Sequence, residues 1–277
     1  MGLCCFFRNI VCCASIMLTS SSLLAAWVAN EEAGMLKNGE ITVSFEKDKS
    51  YLGGIVLKKL IQSPNEQFSL NSLADIEKDT GLVPTTLGSC FASWNNNLVS
   101  YVLPASLRKI EDRAFSMCKK VRNVPNLPPE LEEIGYEAFF ANESAKGSIV
   151  IPKNIRVIEK NSFYGCGNAI GIHFTQGSKL ERIEDGAFKR CHCVDGTLDL
   201  SICKSLKFIH PLAFVNCAPY RVIYCKEYRK HIENQLKASD KENSYPRAST
   251  DWFAGAFGIG VHWTTWSTAP GGGKNSF

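Results

Sequence analysis

The stretch Leu107-Arg-Lys-Ile-Glu-Asp-Arg-Ala-Phe-Ser-Met-Cys118 carries the pattern on which the fold depends. Reduced to its apolar positions it becomes Leu-x-x-Ile-x-x-x-Ala-Phe-x-x-Cys. The same spacing recurs four more times, at residues 131–142, 155–166, 180–191 and 206–217. The phenylalanines of the five copies follow one another at intervals of 24, 24, 25 and 26 residues. A fixed period in the twenties is typical of a repeat solenoid, in which short coils stack on one another.

Each repeat also holds a second apolar stretch, which reads as a β-strand and in some repeats ends at proline. These stretches are Tyr101–Pro104, Ser148–Pro152, Gly171–Phe174, Thr197–Leu200 and Val222–Cys225. Alternation places every second side chain of a strand inward, and proline ends a strand without losing a ladder donor. We therefore predict a mainly-β repeat solenoid. It is a leucine-rich-repeat coil with stacked parallel strands and short irregular or helical flanks.

The residues that define the motif are expected to form the core of the coil. One coil cannot bury its apolar side alone, so stacking must stabilise the array. The central aromatic residues are predicted to fill each layer: Phe115, Phe139, Phe163, Phe188 and Phe214. The cysteines that end the motif would lie near one another in adjacent coils, within reach of disulfide formation. Packing alone explains a repeated cysteine, so we favour buried reduced thiols over disulfides.

Composition argues against several classes of function. The net charge of +4 over 277 residues is mild, whereas nucleic-acid binders usually carry a dense basic stripe. We predict no nucleic-acid partner, no cofactor and no catalytic residues. Cys191-His192-Cys193, with Cys203 and His210 nearby, does not show the two close ligand pairs common in structural zinc sites. No metal site is predicted.

Residues 1–29 are predicted to be a signal peptide or a membrane anchor. Arg8 precedes an apolar run from residue 10 to residue 29, the layout of a secretory signal. Ala26 and Ala29 are small enough for cleavage, but bulky Leu24 and Trp27 stand two residues before them. An uncleaved run of this length is sufficient to span a bilayer. A buried N-terminal helix of a cytosolic domain is the alternative.

The rest of the chain divides around the repeats. Residues 30–80 are predicted to be an N-terminal flank or cap, in which residues 54–62 fit either a helix or a strand. Residues 81–226 form the solenoid, with five clear repeats and a degenerate first one around Phe91. Residues 227–277 are predicted to form a C-terminal cap and a disordered tail. Their tryptophans fit either a cover for the last coil or a docking surface.

The repeat pattern resembles the BspA-like leucine-rich repeats over residues 83–225. This resemblance implies a curved solenoid with a parallel sheet and a role in adhesion or protein binding at a cell surface. It supplies no catalytic residues. The second repeat departs from the pattern in two places. Asn142 stands at the cysteine position, and the segment Val124-Pro-Asn-Leu-Pro-Pro129 is too rich in proline for a regular strand.

The leading functional hypothesis is a non-enzymatic protein that is secreted or held at the cell surface. It would bind a protein partner through outward residues of the repeat strands, which alternation identifies as Val102, Asn126, Val150, His173 and Asp199. Residues 1–29 would provide any membrane association. Two alternatives remain. One is an enzyme with its active site in the flanks and the repeats as a docking arm; the other is a membrane-anchored effector in the cytoplasm.

Overall fold

The chain winds into a stack of two-sided coils, seen in a computed structural model that describes residues 26–191, 197–210, 212–217 and 221–224. Residues near the N-terminus form an antiparallel sheet, and the repeats continue it as parallel strands. The elements are β1 (Val28–Asn30), β2 (Met35–Asn38), β3 (Ile41–Lys47), β4 (Gly54–Gln62), β5 (Phe68–Leu70), a 3-10 helix (Asn71–Asp75), α1 (Ile76–Thr80), β6 (Val83–Leu87), β7 (Leu98–Tyr101), β8 (Lys109–Ile110), β9 (Glu133–Ile134), β10 (Lys146–Ile151), β11 (Val157–Ile158), β12 (Asn168–Phe174), β13 (Arg182–Ile183), β14 (Thr197–Leu200), β15 (Phe208–Ile209) and β16 (Arg221–Tyr224).

One side of the stack, the short-strand side, includes the two-residue strands that contain the isoleucine of each motif: β8, β9, β11, β13 and β15. β4, β6, β8 and β9 are parallel neighbours in a seven-stranded sheet. β11, β13 and β15 form a second parallel sheet beside it. The register pairs Ile110 with Ile134 and Ile158 with Ile183, so equivalent positions of adjacent repeats are aligned. This architecture confirms the mainly-β leucine-rich-repeat coil.

The other side, the long-strand side, consists of the strands that precede the motifs. Its parallel pairs are β5 with β7, β10 with β12 and β14 with β16. The ladder is interrupted in the second repeat, where one bridge between Asn123 and Lys146 replaces a strand. Pro125, Pro128 and Pro129 follow at this point. They have no N–H to donate, so a regular ladder cannot continue through them.

The motif residues point into the space between the two sides. All five motif phenylalanines are buried, and successive rings stack with their centroids 5.3 to 6.1 Å apart. Phe91 of the degenerate first repeat is also buried and meets Phe115 edge-on at 5.8 Å. Backbone hydrogen bonds join the same layers, as from Phe139 N to Ser162 O at 2.8 Å. The core is therefore a column of stacked aromatic rings, and backbone hydrogen bonds join the coils that carry them.

Each coil turns sharply on either side of its phenylalanine, and the turns use left-handed backbone conformations. Residues two positions after the ring have φ between 55° and 69°: Met117, Ala141, Gly165, Arg190 and Asn216. Two positions before the ring, three non-glycine residues also have a positive φ, between 53° and 57°: Arg113, Glu137 and Asn161. Side chains rarely adopt this region because Cβ crowds the backbone. The stack therefore holds strained turns in register.

Three of the cysteines that end the motifs, Cys118, Cys166 and Cys191, contact backbone carbonyl groups. The Sγ atoms of Cys118 and Cys191 lie 3.1 and 3.0 Å from the carbonyl oxygens of Ala92 and Phe163. Cys166 makes the same contact with Phe139 at 3.5 Å. Asn142 replaces the thiol in the second repeat, and its Oδ1 accepts a hydrogen bond from Cys118 N at 3.0 Å. These contacts fit buried reduced thiols.

The folded part of the chain begins earlier than residue 30. Trp27 is only 2% exposed; its indole donates to Ser72 O at 2.6 Å, and its backbone N–H donates to Asp79 Oδ2 at 3.0 Å. Val28 and Ala29 belong to β1. A segment that ended at residue 29 would include this core tryptophan and most of a strand. Residues 1–25 lie outside the described residues, so their targeting role stays a prediction.

The region between Ala29 and the repeats is mostly β-structure. Residues 54–62, which the sequence left open between helix and strand, form β4. β1 to β4 run antiparallel, and β4 then pairs in parallel with β6. The parallel stack therefore extends back to Gly54, upstream of residue 81. The expected C-terminal cap and disordered tail, residues 227–277, lie outside the described residues.

Within the ranges that the structure describes, helices are short, and none has the length and apolar character needed to cross a bilayer.

Candidate protein-binding surface

The long-strand side presents a flat surface, here called the strand face. It consists of the outward side chains of Ser100, Val102, Ser148, Val150, His173 and Asp199. Val150 of β10 lies directly opposite His173 of β12, and both are exposed. Their chain neighbours Ile149, Ile151, Ile172 and Phe174 are buried. The alternation of a strand with one buried face therefore holds on both strands.

The five residues predicted to contact a partner are all exposed, but they are not all on strands. Val150, His173 and Asp199 lie on β10, β12 and β14, which are adjacent. Val102 follows β7 and is 44% exposed, compared with 48% for Val150. Asn126 lies in the proline-rich irregular segment. The structure thus brings three of the five together on neighbouring strands and places the other two beyond regular strands.

Charge separates the strand face from the short-strand side. Among the six strand-face residues only His173 and Asp199 can ionise, and beside them the exposed Lys146 stands at the start of β10. The short-strand side instead carries ion pairs between adjacent coils, among them Arg108–Glu132, Lys109–Glu133, Arg156–Glu181 and Lys207–Glu181, with N–O distances between 2.6 and 3.6 Å. Exposed pairs of this kind add little stability individually. These ion pairs do give the charged side chains of the short-strand side partners within the protein.

A groove of about 1230 Å³ runs along the short-strand side, over β8, β9 and β11. Its walls are mostly polar, and Glu159 is half-buried within it. Burial raises the pKa of Glu159, and the carboxylates of Glu184 and Asp112 raise it further. In the described part of the chain no group of His, Cys, Asp and Glu residues is arranged to hold a metal ion.

Gly135 shapes the groove at a position where three other repeats carry a glutamate. A Cβ at this position would lie 2.5 Å from Asp112 Oδ1 and 2.7 Å from Asp112 N. The same Asp112 oxygen accepts a hydrogen bond from Tyr136 N at 2.8 Å. Sequence reasoning did not identify this groove. Its one signal was the glycine standing where Glu111, Glu159 and Glu184 occupy equivalent positions.

Residues 86–221 match the family described as "BspA type Leucine rich repeat region", in six copies. The sixth copy corresponds to the degenerate repeat around Phe91, whose ring joins the aromatic column. The repeat region of this chain therefore belongs to the BspA-type leucine-rich repeats. No curated protein sequence matches the chain significantly.

Several solved structures are similar to this chain at low sequence identity. The pneumococcal vaccine antigen PcpA is 17% identical, with a TM-score of 0.52 over 71% of this chain and 51% of its own. A leucine-rich cell surface protein of Faecalibacterium prausnitzii A2-165 is 15% identical, with a TM-score of 0.45 over 66% and 52%. A leucine-rich repeat protein of T. pallidum is 16% identical, with a TM-score of 0.33 over 73% and 94%. This chain spans about half the length of the first two, and identities this low relate the folds alone.

Proposed function

We propose that this protein is exported and binds another protein through the strand face, without catalysing a reaction. The observation that carries the proposal is the contrast in charge between the two sides of the coil. Interface cores are depleted in charged residues, and the strand face combines exposed Val102 and Val150 with small serines and a single carboxylate, Asp199. Solenoids use extended surfaces of this kind to hold partners.

The N-terminal sequence supports export. Among the described residues, the first one buried in the core is Trp27, and the sequence before it carries Arg8 followed by an apolar run. A positive residue ahead of an apolar run is the arrangement of a secretory signal. The mass of the protein recovered from outside its native cells would measure where the mature chain begins.

Photo-crosslinking in the native cells tests the binding surface. The photoreactive residue p-benzoylphenylalanine replaces Val150 in one version and the exposed Lys207 of the short-strand side in a matched version. We expect a discrete crosslinked protein from position 150 and none from position 207. The double variant H173A/D199K, with unchanged melting temperature, should lose that product. An identical product from position 207, or one that persists in the double variant, would contradict the face assignment.

A further inference from the structure

A row of aromatic and sulfur-containing side chains, one exposed and three half-buried, follows one edge of the stack, away from the strand face. We call Trp94, Met117, Phe140 and Tyr164 the aromatic edge. They lie in the turn after the core phenylalanine of four successive coils. Hydrogen bonds from Trp94 N to Ser116 O at 2.8 Å and from Met117 N to Phe140 O at 2.7 Å keep these turns in register.

The aromatic edge is open to solvent and contains a pocket. Trp94 is 66% exposed. A cavity of about 550 Å³ lies between it and Phe140, with Met117 also in its lining. Phe140 stacks on Tyr164 of the next coil with ring centroids 4.8 Å apart. The four side chains therefore form one continuous apolar surface rather than isolated exposed residues.

Positive charge flanks this surface at both ends. Lys59 lines the cavity beside Trp94. At the other end, Lys189 Nζ and the guanidinium carbon of Arg190 lie 5.8 and 6.0 Å from the centre of the Tyr164 ring. Neither Lys59, Lys189 nor Arg190 forms an ion pair with a carboxylate among the described residues. The carboxylate in the cavity, Glu137, is already bound to Arg113 Nε at 2.8 Å.

We propose that the aromatic edge binds an extended acidic segment of a partner protein, which places one apolar side chain in the cavity between Trp94 and Phe140. Trp, Tyr, Phe, Met and Arg are the residue types enriched at protein interfaces, and Trp, Tyr and Arg dominate their binding energy. Lys59, Lys189 and Arg190, which form no ion pair within the described residues, select acidic residues on the partner. A cavity of this size is within the range that encloses a ligand group.

The spacing of the coils sets the length of the bound segment. Adjacent parallel strands lie about 4.8 Å apart, so the four intervals from the coil of Trp94 to that of Arg190 cover about 19 Å. An extended peptide rises about 3.3 Å per residue, which corresponds to about six residues. The segment would carry acidic residues near both ends, opposite Lys59 and Arg190, and its apolar residue near one end.

The polar groups of the edge favour a peptide over an anionic polysaccharide. Sugar rings need many hydrogen-bonding partners for their hydroxyl groups. The cavity offers Ser93 and a buried Ser116, while its one carboxylate is occupied by Arg113. Met117 adds an adaptable apolar wall, a common feature of surfaces that bind peptides. The proposal stands independently of the strand face, because the two surfaces share no residue.

A displayed library of random dodecapeptides, selected on the immobilised full chain, tests the proposal. We expect the enriched peptides to carry net negative charge and an aromatic or leucine residue. Their affinity should fall about tenfold or more in Trp94→Ala, as expected for a central interface tryptophan. The charge reversal K189E/R190E should weaken them similarly. The matched reversal K119E/K120E, at exposed lysines of another turn, should leave them unchanged.

Two results would overturn the proposal. One is a set of enriched peptides that bind Trp94→Ala as tightly as the parent chain, with both proteins melting at the same temperature. The other is an enriched set without acidic residues, or one that K119E/K120E weakens as much as K189E/R190E. A heparin octasaccharide that binds the chain and loses affinity in Trp94→Ala, with no peptide doing so, would assign the edge to an anionic polysaccharide instead. The crosslinking test at Val150 and the peptide-binding test are separate measurements. A failure to obtain the Val150 crosslink would therefore leave the peptide-binding results unchanged.

Discussion

The rings of Phe163 and Phe188 lie 4° from parallel, with centroids 5.4 Å apart. Phe163 also stacks on Phe139 at 5.3 Å, so each inner ring of the column is packed on both faces by the coils before and after it. The aromatic column therefore couples neighbouring coils through contacts that no coil makes on its own, which is the physical basis of stability in a solenoid.

Truncating a ring in the middle of this column should destabilise the protein strongly. Phe163→Ala leaves a cavity between two coils, and we expect a loss of about 3–5 kcal/mol in the free energy of unfolding. Val150→Ala, at an exposed strand position, should change it by about 0.5 kcal/mol or less. Urea unfolding followed by circular dichroism measures both. Equal midpoints for Phe163→Ala and the parent chain would show that the ring is not in the core.

The left-handed turns allow a matched comparison at two glycines. Gly165 has a φ of 69°, and Gly167 lies outside the left-handed region; a Cβ at either would meet neighbouring atoms at 3.4 and 3.5 Å, which is ordinary contact. Gly165→Ala should therefore cost about 1–2 kcal/mol from backbone conformation alone. Gly167→Ala should be near neutral or stabilise by about 0.4–1 kcal/mol. Thermal melts of the two variants would have to differ in this direction.

Asp48 should make stability depend on pH in the acid range. Burial acts to raise the pKa of its carboxylate, but hydrogen bonds from Thr86 and Thr85 at 2.6 and 2.8 Å outweigh it and lower the pKa below the usual 3.8. A lowered pKa in the folded state contributes stability that is complete above 3.8 and is lost as the pH falls through the folded-state value.

Replacing this carboxylate should remove that part of the acid response. In Asp48→Asn, the decline in unfolding free energy below a pH of about 4 should be shallower than in the parent chain. Asp75→Asn, at an exposed aspartate without a capping hydrogen bond, is the control. Urea titrations at a series of pH values give the two slopes. Parallel curves for the parent chain and Asp48→Asn would show that the threonine contacts do not form.

Cysteine reactivity should separate surface from core. Cys90 is exposed, whereas burial raises the pKa of the Cys118 thiol to about 12. Since the thiolate is the reactive form, iodoacetamide at pH 8 should label Cys90 in the native protein and leave Cys118 unmodified. Peptide mass mapping measures both sites, and labelling in urea supplies the control. Comparable native labelling of the two would show that the first coils open readily.

The position of Trp27 predicts where the chain can be shortened. Deleting residues 1–26 should leave the free energy of unfolding unchanged, because Trp27 is the first residue in the described part of the chain that is buried and hydrogen-bonded. Trp27→Ala in that shortened chain should lose about 3–5 kcal/mol, as for a buried tryptophan elsewhere. A shortened chain that unfolds at lower urea concentration would show that the apolar run contributes to the fold.

The repeat coil could be predicted from the sequence because the residues that define it recur at a regular spacing. Leu107, Ile110 and Phe115 recur at a constant interval, and only a stack of coils buries all copies at once. The left-handed turns had no comparable signal. Arg113, Met117 and Glu137 are residue types that avoid positive φ. They adopt a positive φ here because backbone hydrogen bonds to the adjacent coil hold the turn.

The candidate surfaces were only partly predictable for a related reason. Alternation along a strand identifies outward positions such as Val150 and His173, but it says nothing about charge on the opposite side of the coil. The cavity beside Trp94 depends on turns from three coils meeting in space. Similarly, β4 was ambiguous in isolation and became a strand through its pairing with β3 and β6. These features arise from contacts between segments that local patterns do not record.

The backbone hydrogen bonds between coils determine how the solenoid responds to a pulling force. Bonds such as Phe163 N to Ala187 O, at 2.9 Å, join only adjacent turns of the chain. A pulling force applied at one terminus therefore loads the outermost coil first and the remainder only after that coil has opened. Each opened coil of about 24 residues releases about 80 Å of extended chain. The solenoid would thus lengthen under tension in discrete steps while its intact coils keep their surfaces.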